Sequence, residues 1–534
     1  MNYPRISRRM FLKTIATAGG VTAVWSTLDS WGLAKPARQD RPPLDGQVEG
    51  VRLIILGAGM GGLTVAYELG QLGYDIQILD ALDRPGGHNW TVRRGTQFTE
   101  HGGETQVCEY DEGQYFNPGP WRIPHHHEAV LHYCRQLGVP LEVFVNYQAA
   151  NYAYVEGDFG PLAGQPIRQR VIDAHMGGYT AELLAKFAQE QQLDEELTQE
   201  HIEQLVEYLA NYGLLDDELR FTGTSRAGYA SPPGAGMQPG ERLETISFQD
   251  LLPYAAELLD AQGGYLAAVA SYSQQMTMFQ PVGGMDRIAY ALAEAIGNDR
   301  FTFQAEVREI RQDESGVRIV YQDLASGETQ EVTGDYCVCN IPLTILPTIP
   351  ADFSPEMAEA IRSVPYQTTG KIGLQFGRRF WEEDEQIYGG ETRTNIPSIG
   401  GIAYPSYGFF GQKGVLQGYY NFGLNAIEIS NLSVQERIEH ALEHGSKIHP
   451  QYRETFENGF SVAWHRVPYL LGGWPNYNDR IRTQYYPRLL EPDGRIYLVG
   501  EHLSHLTGWM EGSVRAAWMQ MEKLHERVRG EQTS

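Results

Sequence analysis

Residues Val51 to His88, VRLIILGAGMGGLTVAYELGQLGYDIQILDALDRPGGH, constrain this chain more than any other stretch. The run Val51–Leu56 has the length and β-branched character of a buried strand. Gly57, Gly59 and Gly62 then form a G-x-G-x-x-G turn. The first glycine permits the tight turn, the second lets backbone approach a pyrophosphate, and the third allows close helix–sheet packing. Leu63 to Leu72 reads as the following helix, with its positive N-terminal end toward the phosphates. A second strand, Tyr74 to Leu79, ends at Asp80, about 20 residues beyond the glycines, where a carboxylate can accept from ribose hydroxyls. Strand, glycines, helix, strand and acid in register predict a dinucleotide-binding unit.

The continuation narrows the dinucleotide. Asp83-Arg84-Pro85-Gly86-Gly87-His88 places an arginine and a glycine pair directly after the acid. This resembles the FAD-binding head of the flavin amine oxidases, in which D/E-x-x-x-R-x-G-G-R is usual; His88 stands where that family mostly has arginine. Near the other end, Gly500-Glu501-His502 and Gly508-Trp509-Met510-Glu511-Gly512 resemble the family's C-terminal signature, and Ala305-Glu306-Val307 its central FAD segment. The resemblance therefore implies non-covalent FAD held by Gly57, Gly59, Gly61, Gly62, Asp80, Arg84, Gly86, Gly87, His88, Trp121, Arg122, Val307, Gly500, Glu501, Trp509 and Met510. It also implies an α/β fold: a Rossmann-like FAD-binding domain, an antiparallel-sheet substrate domain and a helical insertion. The helix beginning near Trp509 would direct its positive end toward the flavin pyrimidine, favouring the reduced anion.

Four further features bear on the reaction. Lys371 interrupts an otherwise apolar strand, where a buried amine is costly unless partnered or neutralised; family members place this lysine, through a water, at flavin N5. Gly119-Pro120-Trp121-Arg122-Ile123-Pro124 resembles the segment of L-amino-acid oxidases, bacterial ones included, whose arginine grips the substrate carboxylate. A planar fork of donors suits that task. Tyr404 resembles the tyrosine giving a second bond to the same carboxylate, with Tyr407, Tyr419 and Tyr420 nearby, and the Gly508 carbonyl would accept from the substrate amine. By the same resemblance Trp509 would form one wall over the ring, and Gly472-Gly473-Trp474 resembles the place where monoamine oxidases carry a flavin-linking cysteine, a thioether Trp474 cannot form. The expected reaction is hydride transfer from Cα, imino-acid hydrolysis to a 2-oxo acid and ammonium, and reoxidation by dioxygen with release of hydrogen peroxide. Mono- or polyamine oxidation and amino-acid 2-monooxygenation are the alternatives on this fold. His125-His126-His127 lacks the accompanying ligands of a metal site, so none is expected.

With 534 residues, the chain has room for two or three interleaved domains. The expected division is a leader over 1–34, a linker over 35–50, FAD-binding segments 51–115, 271–344 and 481–526, substrate-binding segments 116–149 and 345–480, and the helical insertion 150–270. A net charge of −25 argues against nucleic acid as a partner. Ser7-Arg8-Arg9-Met10-Phe11-Leu12-Lys13 followed by a weakly apolar run matches a twin-arginine export signal, with small residues suiting cleavage after Ala34. No other run approaches the roughly 18 apolar residues of a membrane span, so a periplasmic or secreted enzyme is expected. The expected partners are a small L-amino acid, dioxygen, the export machinery and, in a homodimer, a second copy of the chain. Cys337 and Cys339 read as buried strand residues; Cys108 and Cys134 could pair in an oxidising compartment.

Overall fold

The computed structural model of the protein describes residues 41–188, 198–261, 272 and 274–533. The leader and the first part of the linker, residues 35–40, lie outside the described residues. Strand Arg52–Leu56 occupies the middle of a five-stranded parallel sheet, between Asp75–Asp80 and Tyr336–Cys339. Phe301–Phe303 and Ile496–Leu498 complete the two edges. Leu53, Ile54, Ile55 and Leu56 are fully buried, each contributing about 1.5–3 kcal/mol relative to exposure. Helix Met60–Gln71 is apolar over most of its surface because helices Arg287–Ile296 and Met510–Thr533 enclose it. Chain order reverses beside the central strand, which opens a crevice at the strands' C-terminal ends.

The second sheet has seven strands, in the order Phe456–Ala463, Thr369–Phe376, Gly414–Phe422, Gly401–Ala403, Glu391–Thr394, Tyr152–Tyr154 and Ile167–Arg168. It is antiparallel except where Glu391–Thr394 meets Tyr152–Tyr154. Ile372, Leu374, Ile402, Tyr404 and Tyr419 pack into a core on one face; alternate residues turn to the other face.

The structure divides the chain differently from the sequence expectation at two places. Residues 152–168 supply two strands of this sheet, so the helical portion begins later, with Gln169–Ala188, Gln199–Gly213 and Phe248–Ala261. Helix Glu128–Gln136 packs into the dinucleotide-side core through Ala129, Val130, Tyr133 and Cys134, rather than with the substrate sheet. Glu511 fixes it by accepting from Ala129 N (3.2 Å) and Val130 N (2.9 Å). Those two amides belong to the helix's otherwise unsatisfied first turn. Cys108 and Cys134 are free and buried in separate clusters, so they form no bridge. No described helix is long and apolar enough to cross a membrane.

Candidate active site

A cavity of about 2160 Å³ runs from the crevice of the parallel sheet to the open face of the seven-stranded sheet. At its first end the glycine turn lies bare. A side-chain carbon on Gly59 would come within 2.6 Å of the Asn340 amide, and one on Gly62 within 2.1 Å of the Gly57 carbonyl. Asp80 closes the turn: its carboxylate accepts from Ala58 N (2.6 Å) and Leu82 N (2.7 Å). Burial pushes its pKa up to about 6 despite these bonds. Arg84 donates to Gly87 O (3.0 Å) and lies over the Trp90 ring, so it braces the glycine pair. Val307, Gly500, Glu501 and Met510 line the same half. Glu501 accepts from Gly508 N (2.6 Å), and burial raises its pKa to about 8. A backbone stripped of side chains at a helix N-terminus, with an acid one strand away, fits a dinucleotide.

His88 lines this half of the cavity without supplying charge. Its Nε2 lies 2.7 Å from Gly472 O, its ring packs on Trp464, and burial lowers its pKa to about 4. A neutral imidazole committed to a carbonyl cannot replace the arginine usual at this position.

In the other half, Lys371 is central. It is 2% exposed and donates from Nζ to Gly119 O at 2.7 Å. The amine lies over the rings of Tyr420 (4.4 Å) and Trp121 (4.9 Å). Burial, with a smaller push from Arg122, holds its pKa well below the usual lysine range; Glu391 pulls weakly the other way. Desolvation outweighs ring and carboxylate attraction, which favours the neutral amine.

Arg122 also lines this half. Its Nη1 donates to Asn146 Oδ1 at 2.7 Å and its guanidinium lies 4.8 Å from the Trp121 ring centroid. Trp474, Gly508 and Trp509 also line the cavity. Gly508 adopts a φ of +81°, with the Trp474 ring 3.5 Å from where a side-chain carbon would begin. Trp509 is held edge-on against His127. Among the described residues, no group of three or more His, Cys, Asp or Glu is placed to hold a metal ion.

Tyr404 is a correction. Its hydroxyl is buried among the core residues on the opposite face of the sheet, 2.8 Å from Thr392 Oγ1 and 2.6 Å from His449 Nε2, and it does not reach the cavity. Tyr420, directly opposite Lys371 in the strand register, faces the cavity instead. The cause is the two-residue period of a strand: Tyr404 shares its face with Ile402, whereas Tyr420 shares the lysine's. Sequence reasoning also missed Asn340, Asn146, Glu391, Arg393, Asn395 and Glu257. Each comes from a segment with no motif of its own, and no signal in the sequence alone brings them together.

Residues 60–520 match the family of flavin containing amine oxidoreductases. The putative L-amino-acid oxidase YobN of Bacillus subtilis (strain 168) is 25% identical over 488 residues, covering 87% of this chain and 92% of its own. The L-amino-acid oxidase of Sistrurus catenatus edwardsii is 27% identical over 486 residues, covering 87% and 85%. Among solved structures, cyclohexylamine oxidase from Brevibacterium oxydans IH-35A superposes with a TM-score of 0.59 at 17% identity, over 90% of this chain and 99% of that one. Putrescine oxidase bound to putrescine gives 0.55 at 17% identity, over 91% and 100%. These two establish likeness of fold. With the match spanning most of its length and a dinucleotide cradle at its head, the chain belongs to the flavin-containing amine oxidoreductase family.

Proposed function

We propose that this protein is an exported oxidase of L-amino acids that carries non-covalent FAD. The observation that carries the substrate class is Arg122: a guanidinium on the cavity wall, oriented by Asn146 and stacked on Trp121, close enough to Lys371 to depress its pKa. A fork of donors fixed beside the reacting end of a cavity matches a carboxylate, which simple amines lack. The curated L-amino-acid oxidases among the relatives support the same reading.

Bound here, FAD supplies a two-electron acceptor that dioxygen returns to its oxidised form, yielding hydrogen peroxide. The chain's own residues do the rest. Arg122 would hold the α-carboxylate and Tyr420 would donate a second hydrogen bond to it, in place of Tyr404. The Gly508 carbonyl would accept from the neutral α-amine, and Trp474 and Trp509 would confine the substrate between their rings. Lys371 donates to Gly119 O, and its burial favours the neutral amine, which would limit positive charge beside the α-amine and leave lone-pair capacity for a water. After oxidation, the imino acid hydrolyses to a 2-oxo acid and ammonium. Export by the twin-arginine route is inferred from Ser7 to Lys13, and dissociable FAD from Trp474. A peroxide-release screen over L-amino acids, D-amino acids, monoamines and polyamines tests the substrate class. Turnover confined to L-amino acids is expected; turnover of amines alone would replace this reading with an amine oxidase.

A further inference from the structure

Five carboxylates line the cavity, and four have evident occupations. Asp80 and Glu501 serve backbone amides of the dinucleotide half, Glu306 pairs with Arg308, and Glu391 pairs with Arg393 at 2.9 Å. Glu257 is different. It comes from helix Phe248–Ala261, where it shares a face with Ala261, also on the cavity wall. Its Oε1 accepts from Asn395 Nδ2 at 2.9 Å, a neutral partner. Asn395 has no freedom to do otherwise. Its other Nδ2 hydrogen goes to Glu156 O (2.9 Å), and its Oδ1 accepts from Glu156 N (2.8 Å). The carboxylate is thus aimed by a side chain whose every donor is used, while its own charge is not neutralised by that contact.

The basic groups of the substrate half do not offset it. Arg393 is engaged by Glu391, Arg515 by Glu511, and the Lys371 amine is driven toward its neutral form. Arg122 answers the α-carboxylate. Along the sheet, Lys371 faces Tyr420 and Gly401 faces Arg393, with Asn395 two residues further on. At about 4.8 Å per strand, the Arg393 strand lies roughly 14 Å from that of Lys371, so Glu257 stands at the far side from the reacting end. Resting on the L-amino-acid reading above, we infer that Glu257 is a specificity-determining residue that selects substrates with a long cationic side chain, the arginine and lysine class. Such a substrate presents a carboxylate to Arg122 and a cation to Glu257, complementing both.

The test is kcat/KM of the purified holoenzyme for L-arginine, L-lysine, L-leucine and L-glutamate, with Glu257→Gln, Glu257→Asp and Glu257→Lys beside the parent. The parent should favour L-arginine and L-lysine. Glu257→Gln should lower the arginine-to-leucine ratio by about ten- to a hundredfold, which is about 1.4–2.8 kcal/mol. Glu257→Asp should retain the direction of preference, and Glu257→Lys should move it toward L-glutamate. A parent preferring L-leucine or L-glutamate, or a ratio unchanged in Glu257→Gln with normal flavin content, overturns the assignment. If no L-amino acid is oxidised, the carboxylate clamp fails separately. The same variants, read with putrescine against butylamine, then decide Glu257: a lowered ratio upholds cation selection and an unchanged one ends it.

Discussion

Lys371 and Tyr420 face each other across adjacent antiparallel strands, with the amine nitrogen 4.4 Å from the phenol ring centroid. This pair, with Trp121 on the other side, brings a buried amine, the arginine segment and the seven-stranded sheet into one wall. It also identifies which tyrosine lines the cavity.

Replacing Tyr420 and Tyr404 in turn separates the two roles. Tyr420→Phe should lower kcat/KM for L-amino acids by about tenfold or more, since a hydrogen bond to a charged group contributes about 1.5–3 kcal/mol. Tyr404→Phe removes the hydroxyl that Thr392 and His449 contact, and leaving buried polar groups unsatisfied costs about 1–3 kcal/mol. Its signature should be a lower denaturation midpoint with turnover close to the parent's. Equal kinetic loss in both variants would contradict the assignment of faces.

Arg122→Ala should lose roughly two or more decades of kcat/KM toward L-amino acids, from about 2–5 kcal/mol for removing one partner of a desolvated charge pair. Arg122→Lys should also be impaired, because a point charge cannot reproduce the fork. Flavin content, measured by absorbance, should stay near normal. Parent-like oxidation of L-amino acids by Arg122→Ala would remove the carboxylate clamp.

Lys371 carries a pH signature. Its folded pKa lies below its unfolded value, so the unfolded chain binds more protons and this residue lowers stability at neutral pH. The cost shrinks as pH rises from the folded pKa toward the ordinary lysine value near 10.4. Lys371→Met should therefore unfold at higher denaturant than the parent at pH 7, with the gap narrowing toward pH 10, while oxidation falls. A variant less stable at pH 7, or a gap that widens with pH, would show that the amine is buried in its charged form.

Acid or heat precipitation should release the flavin intact as FAD, because Trp474 offers no thiol for a linkage. Flavin retained by the precipitated polypeptide would refute non-covalent binding.

For export, Arg8→Lys with Arg9→Lys should hold active enzyme in the cytoplasm of a host that reads twin-arginine signals. Fractionation that still finds it outside would rule this route out.

The strand–glycine–helix–acid unit, the Lys371 strand and the final helix were legible in the sequence because each is local. Periodicity, glycine spacing and a terminal acid are enforced within some tens of residues, and the structure places those elements as Arg52–Leu56, Met60–Gln71, Asp75–Asp80, Thr369–Phe376 and Met510–Thr533. The choice of tyrosine was not local. It depended on which face of the sheet became core, and a strand exchanges faces with every residue, so a plausible motif at Tyr404 pointed the wrong way. The same holds for helix Glu128–Gln136, recruited to the dinucleotide side by Glu511 from nearly 400 residues away. Glu257 and Asn395 meet because a helix of the insertion packs on strand Glu391–Thr394, a contact without any sequence period. Sequence determined the dinucleotide cradle and the candidate chemistry. Packing between distant segments decided which side chains share the cavity, because side-chain direction is settled by long-range burial.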